Sequence, residues 1–362
     1  MEDLRIDSHK LIYHPDRVAQ WKRGEKIFPI NMEICLTGAC NQRCVFCCCD
    51  YMGYKANLLD YDNLLSNLRD ISPICEAHGL KSVLLAGTGE PLLYPGFSEL
   101  VNTLKGYGID IALSTNGVLL TEEKVDACLS ALSWIRFSVS GGTEETYHRI
   151  QRGKDGDLKR VFDNIQYAAE LKKKNKLDVV LNVQIVMIPD NADEILPLAR
   201  KVKELGADNF IVKSCGTNAG MKNKIKDTVS EAFYTNQIML REELKKLEDE
   251  HFTAIYRDER VKNIFNKKNY TECYASPFHA FLASDGGVYP CCHLPGLTPY
   301  CFGNMNEISL RDIFLDRAGE RRSVLQKLSD QKLGPCTSAC KLDVMNQYLE
   351  KLVHPMQHVN FI

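Results

Sequence analysis

Fifteen cysteines fall into two bunches, and their spacing limits what this chain of 362 residues can fold around. One bunch occupies positions 35, 40, 44, 47, 48 and 49; the other occupies 273, 291, 292, 301, 336 and 340. Only Cys75, Cys128 and Cys215 stand apart. An odd total does not close into a disulfide framework. In a reducing compartment, dense and regularly spaced cysteine points to metal ligation or redox chemistry. Two bunches predict two metal sites.

The rest of the composition narrows the class. A chain that is 44% hydrophobic and 25% charged reads as a water-soluble globular protein. Basic residues (45) and acidic residues (47) nearly balance, so the basic excess of a nucleic-acid binder is missing. No apolar run reaches the roughly 18–20 residues of a membrane span. The opening Met1-Glu2-Asp3-Leu4-Arg5 is too polar for a secretory signal. These features predict a cytoplasmic protein with neither nucleic-acid nor membrane partners.

Residues 1–29 read as an N-terminal extension, charged, with aromatic anchors at Tyr13, Trp21 and Phe28. From Ile30 to Cys215, short apolar strands alternate with amphipathic helices. The strand candidates are Ile30–Cys35, Ser82–Ala86, Asp110–Ser114, Trp134–Val139, Val179–Ile188 and Phe210–Lys213. Helical stretches fall between them, such as Tyr61–Ile71, Pro95–Gly106, Glu122–Leu132, Leu158–Lys173 and Asn191–Leu205. Six β–α repeats imply a parallel sheet, either doubly wound or part of a barrel. Both place the active site at the C-terminal strand ends.

The connecting segment 216–270 breaks this rhythm. Gly216–Gly220 reads as a loop, Ser230–Glu250 as one long charged helix, and Phe252–Tyr256 as a further strand. Residues 271–345 then form a small α+β unit. Phe278–Ala283 and Val288–Cys291 flank the turn signal Asp285-Gly286-Gly287, a hairpin. Ile308–Leu328 reads as helix, Gly334-Pro335-Cys336 follows, and 346–362 is a C-terminal tail.

Cys40-x3-Cys44-x2-Cys47 follows the first strand. A [4Fe–4S] cube has four irons, and three thiolates leave one iron open to a ligand. The same spacing also suits one helix face of small apolar residues, although Gly38, Asn41 and Gln42 favour a loop. The segment Cys40-Asn-Gln-Arg-Cys44-Val-Phe46-Cys47 resembles the signature of the radical S-adenosylmethionine (SAM) superfamily, Phe46 included. Thr88-Gly89-Glu90-Pro91 resembles the family's GGEP segment, with Thr88 in place of the first glycine. Ser114-Thr115-Asn116-Gly117 ends the third strand, and Phe137-Ser138-Val139-Ser140 with Arg152-Gly153 resembles the fourth-strand segment.

The resemblance spans residues 30–215. It implies a partial (β/α)6 TIM-type barrel and a SAM-binding [4Fe–4S] cluster on Cys40, Cys44 and Cys47. Thr88, Gly89 and Glu90 would hold the methionine amino group. Thr115 and Asn116 would contact ribose, and Ser138 and Arg152 would approach the ribose and the methionine carboxylate. Reduction of the cluster would cleave SAM to a 5′-deoxyadenosyl radical, which calls for a flavodoxin- or ferredoxin-type reductant. The protein's share is orientation and exclusion of competing reactions.

The second bunch reads as Cys273-x12-Gly286-x4-Cys291 followed by Cys336-x3-Cys340. Four cysteines also suit structural zinc. Behind a radical SAM domain, the pattern resembles the SPASM/twitch extension, as do Phe302-Gly303-Asn304 and Ser309-Leu310-Arg311-Asp312-Ile313. That resemblance implies an auxiliary [4Fe–4S] cluster on Cys273, Cys291, Cys336 and Cys340, with Cys292 and Cys301 as alternatives to Cys291. Cys35, Cys48 and Cys49 read as packed thiols.

Cys215 ends the sixth strand, as a core thiol or a hydrogen-atom donor to a substrate radical. Lys213 and Gln184 share that mouth. The leading functional expectation is dehydrogenation or epimerisation of a small polar molecule of the sugar or aminocyclitol type. Modification of a peptide or protein is the alternative, disfavoured by a leader too short for a winged-helix recognition domain. A zinc-stabilised binding protein is the third.

Overall fold

In the segment Ser133-Trp134-Ile135-Arg136-Phe137-Ser138, apolar Ile135 and Phe137 alternate with polar side chains, the pattern of a strand with two different faces. The computed structural model describes residues 9–216, 220–223, 225, 230–257, 268–334, 336 and 340–361. Its strands are β1 (Asn31–Ile34), β2 (Ser82–Leu85), β3 (Asp110–Thr115), β4 (Leu132–Ser138), β5 (Val180–Met187), β6 (Asn209–Ser214), β7 (Thr253–Tyr256), β8 (His279–Leu282), β9 (Gly287–Tyr289) and β10 (Gly303–Asn304). They form one sheet in the order β10-β9-β8-β1-β2-β3-β4-β5-β6-β7. Pairing is parallel from β8 through β1 to β7, while β9 and β10 are antiparallel. This is the expected α/β architecture, a partial barrel, with β7 and β8 added at its two edges.

Period-two alternation sorts the two faces. Ile135, Phe137, Leu181, Val183 and Ile185 are fully buried in the main apolar core beneath the helices. Arg136, Ser138, Gln184 and Val186 point the other way and line a cavity. The helices carry matching stripes: Tyr61–Asp70 buries Leu64 and Leu68, and the Asp60 carboxylate caps it by accepting from Asn63 N at 2.8 Å.

The expected hairpin forms between β8 and β9, and it joins the main sheet because β8 pairs in parallel with β1 from Asn31–His279 to Ile34–Leu282; two helix expectations change. An incomplete barrel leaves β1 with an unpaired edge, and the wholly buried β8 covers it. The long helix at Ser230–Glu250 is two short ones, Glu231–Thr235 and Ile238–Lys245. At the break, Gln237 folds its amide back onto Phe233 O at 2.6 Å. Ile308–Leu328 is likewise split into Leu310–Phe314 and Glu320–Asp330. Asp316 and Gly319 turn left-handed there, so that buried Arg321 reaches the carbonyls of Phe314 (2.7 Å) and Ile27 (3.0 Å). Three helices were unanticipated: Pro15–Lys22, Glu144–Gln151 and Asp343–Val353. Of the expected features, residues 1–8 of the extension, 217–219 of the loop and Pro335 lie outside the described residues.

Candidate active site

The loop after β1 is tied to the ends of β2 and β3 by backbone and side-chain hydrogen bonds. Glu90 N donates to Ala39 O at 2.8 Å. The buried Glu90 carboxylate accepts from Thr115 Oγ1 at 2.6 Å, Asn116 N at 2.8 Å and Leu92 N at 3.2 Å. Asn116 Nδ2 then donates to Asn41 Oδ1 at 2.7 Å, between the first two cysteines of the loop. A Cβ on Gly89 would run into the carbonyl oxygens of Thr37 and Ala39, so only glycine allows the loop this close. Thr88 Oγ1 lies 3.1 Å from Cys35 Sγ, which buries that thiol beneath the site.

The other flank of the loop is held by a chain of amides. Gln42 Nε2 donates to the buried Tyr147 hydroxyl (2.7 Å), and Gln151 Nε2 donates to Gln42 Oε1 (2.9 Å). Gln151 Nε2 also reaches Ser138 O at 3.1 Å, and Gln151 Oε1 accepts from Ser140 N at 2.5 Å. Arg43 N and Val45 N bond to the carbonyls of Gln151 and Ile150. The cysteine loop is thereby clamped against β4 and its helix as well as β2 and β3.

Cys40, Cys44 and Cys47 converge on a cavity of about 380 Å³. Burial raises all three thiols, Cys40 to about 11; Cys47 adds to the effect at Cys40 and Cys44, and Cys48 and Asp50 add to it at Cys47. Without a cation such a set stays protonated; cluster iron reverses that balance, because a coordinating thiol is deprotonated outright. The donor set therefore suits a four-iron cube with one iron left for SAM.

The second bunch is also gathered. Burial pushes Cys273 up to about 12, with Cys340 and Cys336 adding to the effect. Cys291 is raised by burial, with Cys292, Cys340 and Cys273 among its neighbours. Asn346 Oδ1 accepts from Ala275 N at 2.8 Å, and Tyr270 donates to Asp343 Oδ1 at 2.6 Å. These bonds fasten the helix Asp343–Val353 to the stretch carrying Cys273. Four thiols, Cys291 buried and the other three half-buried, without an acidic or histidine partner in the set suit a fully protein-ligated cluster. Among the described residues, no three His, Cys, Asp or Glu side chains are gathered as for a single metal ion.

Of the residues expected from sequence, Phe46, Thr88, Gly89, Glu90, Thr115, Asn116 and Ser138 line the same cavity as the first three cysteines. Glu90 and Thr115 are occupied with each other, so their side chains shape the site through the loop. Arg152 stands elsewhere, left-handed at the end of its helix and lining a neighbouring hollow with Arg43, Cys44 and Asn223. Cys215 is buried behind Phe46 and Val186 and is not part of the cavity wall. Its backbone N–H donates to Tyr234 Oη at 2.8 Å.

The wall does contain Cys48, Cys49 and Cys292 as well as Lys213 and Gln184. It also contains residues that sequence reading passed over: Glu33, Gln42, Arg136, Gln151, Arg257, His293 and Lys341. The signal for Arg136 was present, since a charge in mid-strand between Ile135 and Phe137 must face away from the helices. Glu33 and Lys341 form an ion pair across the chain; nothing local in the sequence links them.

Two family models match the chain: the radical SAM superfamily over residues 34–202 and an iron–sulfur cluster-binding domain, SPASM, over 273–341. An AdoMet-dependent heme synthase of Methanosarcina barkeri is 28% identical, over 82% of this chain and 83% of its own. The sporulation killing factor maturation protein SkfB of Bacillus subtilis is 26% identical, over 88% and 71%. The crystal structure of Streptococcus suis SuiB bound to precursor peptide SuiA superposes with a TM-score of 0.66 at 18% identity, covering 93% of this chain and 77% of SuiB. Among the described residues no helix is long and apolar enough to cross a membrane. The chain belongs to the radical SAM superfamily and carries a C-terminal SPASM domain, with a SAM-binding [4Fe–4S] cluster and auxiliary [4Fe–4S] chemistry as its cofactors.

Proposed function

We propose that the protein removes hydrogen from a small polar substrate held in the 380 Å³ cavity, and that the net reaction is a dehydrogenation. When bound, the cofactors supply a radical that takes a hydrogen atom from substrate carbon and an auxiliary centre that accepts the second electron. The second hydrogen then leaves as a proton, and the product is two hydrogens lighter. In this reading Cys40, Cys44 and Cys47 hold the SAM-binding cluster. Cys273, Cys291, Cys336 and Cys340 hold the auxiliary one.

The observation that carries the reading is that Cys40, Cys44 and Cys47 share one cavity with Cys292, the chain neighbour of the proposed auxiliary ligand Cys291. A substrate in that cavity lies against the first group and within a residue of the second. Gln151, Gln42 and Ser138 line the cavity with the first group, and Phe46 both lines it and packs against the cluster that holds Cys215. Because Cys215 lies behind that wall, dehydrogenation is preferred to an epimerisation in which Cys215 returns a hydrogen atom.

The relatives' names come from heme and peptide chemistry and lend the sugar or aminocyclitol expectation no support. A peptide substrate is the second reading, favoured by the likeness in sequence to a maturation protein and in fold to a peptide-bound enzyme. A flavodoxin- or ferredoxin-type protein would supply the first electron. The test is anaerobic incubation with SAM and dithionite, following 5′-deoxyadenosine. Its formation with a metabolite extract, together with an extract component becoming two hydrogens lighter, is expected. Deuterium gained at carbon from deuterated water, with no mass loss, would move the assignment to epimerisation.

A further inference from the structure

A dehydrogenation needs a group to take the second hydrogen as a proton. Met32 and Ile34 of β1 are wholly buried in the main core, so strand alternation turns Glu33 to the opposite, inner face, where it lines the cavity. Its neighbours in register, Leu84 on β2 and Phe281 on β8, are apolar and line the same cavity. Glu33 is 8% exposed. Its Oε2 accepts from Lys341 Nζ. Among the described residues, Oε1 meets no protein donor, and open space remains in front of it.

The other carboxylate among the described residues of the wall is not available. Both Glu90 oxygens are taken, Oε1 by Thr115 and Leu92 and Oε2 by Asn116. Three further groups feel the Glu33 charge. Burial lowers the Arg136 guanidinium; Glu33 and Cys292 oppose this, and Arg257 adds to it. Burial pushes the Cys292 thiol up to about 12, and Glu33 adds to it. Lys341, the ion-pair partner, follows the proposed auxiliary ligand Cys340 in the chain. A carboxylate set between Leu84 and Phe281 with one oxygen lacking a donor is costly, and a substrate O–H or N–H supplies that donor.

We propose that Glu33 is the general base of the reaction, with Oε1 facing the substrate and Lys341 fixing the carboxylate through Oε2. Oε1 accepts the proton of the O–H or N–H borne by the carbon that has lost its hydrogen atom to the SAM-derived radical. The electron left behind passes to the auxiliary centre as the C=O or C=N bond forms. Proton and electron thus leave towards the same part of the wall, since Cys292 and Lys341 each adjoin a proposed auxiliary ligand. The inference rests on the reading of the cavity as the site of a dehydrogenation and adds the group that takes its proton.

The test is anaerobic turnover of the reconstituted enzyme with SAM, dithionite and a metabolite extract, scored as product two hydrogens lighter per 5′-deoxyadenosine. Glu33→Gln keeps the shape of the side chain and cannot take the proton. It is expected to lower that ratio at least about tenfold while keeping the iron content and the SAM-induced shift in the paramagnetic resonance. Glu33→Asp is expected to fall between the two. Glu33→Gln strands the Lys341 charge, which can unfold the chain; thermal unfolding checks this. Glu33→Gln with Lys341→Met removes both charges at nearly constant volume and is expected to show the same loss. An unchanged ratio in the folded Glu33 variants, or a larger loss in His293→Gln on the same wall, overturns the proposal and leaves the dehydrogenation standing. Wild-type enzyme that yields no lighter product overturns the functional reading, and the base with it.

Discussion

Cys40, Cys44 and Cys47 come from one loop, whereas Cys273, Cys291, Cys336 and Cys340 are collected from separate stretches of the chain. The first group is held from two sides by hydrogen bonds to strand ends, through Asn41–Asn116–Glu90 and through Gln42–Gln151. The second is held by packing, with Asn346 and the Tyr270–Asp343 bond as its polar fasteners. In the proposed assignment one site has three thiols and faces a cavity; the other has four, of which none lines that cavity. The difference teaches how coordination number divides the work. An iron lacking a protein ligand must stand where a small molecule can reach it, and its loop must be rigid. An iron set that is fully ligated needs only to lie within electron-transfer reach of the cavity.

The largest effects follow from removing ligands. Replacing Cys40, Cys44 and Cys47 together with alanine is expected to lower iron from about eight to about four per chain. It should also reduce 5′-deoxyadenosine formation to background. Cys336→Ala with Cys340→Ala is expected to lower iron by the same amount while SAM cleavage continues and substrate oxidation stops. Iron and sulfide analysis alongside product assays checks both. If the second variant also stops cleavage, the division of labour is wrong.

Gly89→Ala comes next. Its Cβ would meet backbone oxygens that have no side-chain freedom to yield, so the loop must move away from β2. Loss of most of the first cluster is expected, with the auxiliary cluster retained. Asn116→Ala removes the Asn41 bond and the turn bond to Val118 N. A destabilisation of about 1–3 kcal/mol and a several-fold weaker response to SAM are expected, measurable by thermal unfolding and cleavage kinetics. Thr88→Gly, which restores the commoner residue of the motif, should cost about 1 kcal/mol or less by losing the contact with Cys35. It is expected to leave cleavage within about twofold.

Much of this fold was readable because its signals are local. Alternating apolar residues marked the strands, and the cysteine loop with Thr88–Glu90, Thr115–Asn116 and Ser138 marked successive strand ends. The parts that escaped depend on long-range geometry. The pairing of β8 with β1 follows from an uncovered edge that exists only once the barrel is built. Glu33 and Lys341 lie far apart in sequence yet pair on the cavity lining. Arg136 was legible in principle from strand alternation as a charge on the inward face. Cys215 and Arg152 show the converse: their positions at a strand end and after a helix gave the right neighbourhood, yet Cys215 is buried in a side cluster with Val186 and Ile188, and left-handed Arg152 lines a neighbouring hollow.

The central claim is that the first cysteine group leaves an iron open to SAM and the second does not. Electron paramagnetic resonance of the dithionite-reduced protein, with and without SAM, tests it on the two ligand variants. The account predicts that SAM shifts the signal of the Cys336→Ala/Cys340→Ala protein and leaves that of the Cys40→Ala/Cys44→Ala/Cys47→Ala protein unchanged. A SAM-induced shift in the triple variant, or zinc in place of iron at either site, would contradict it.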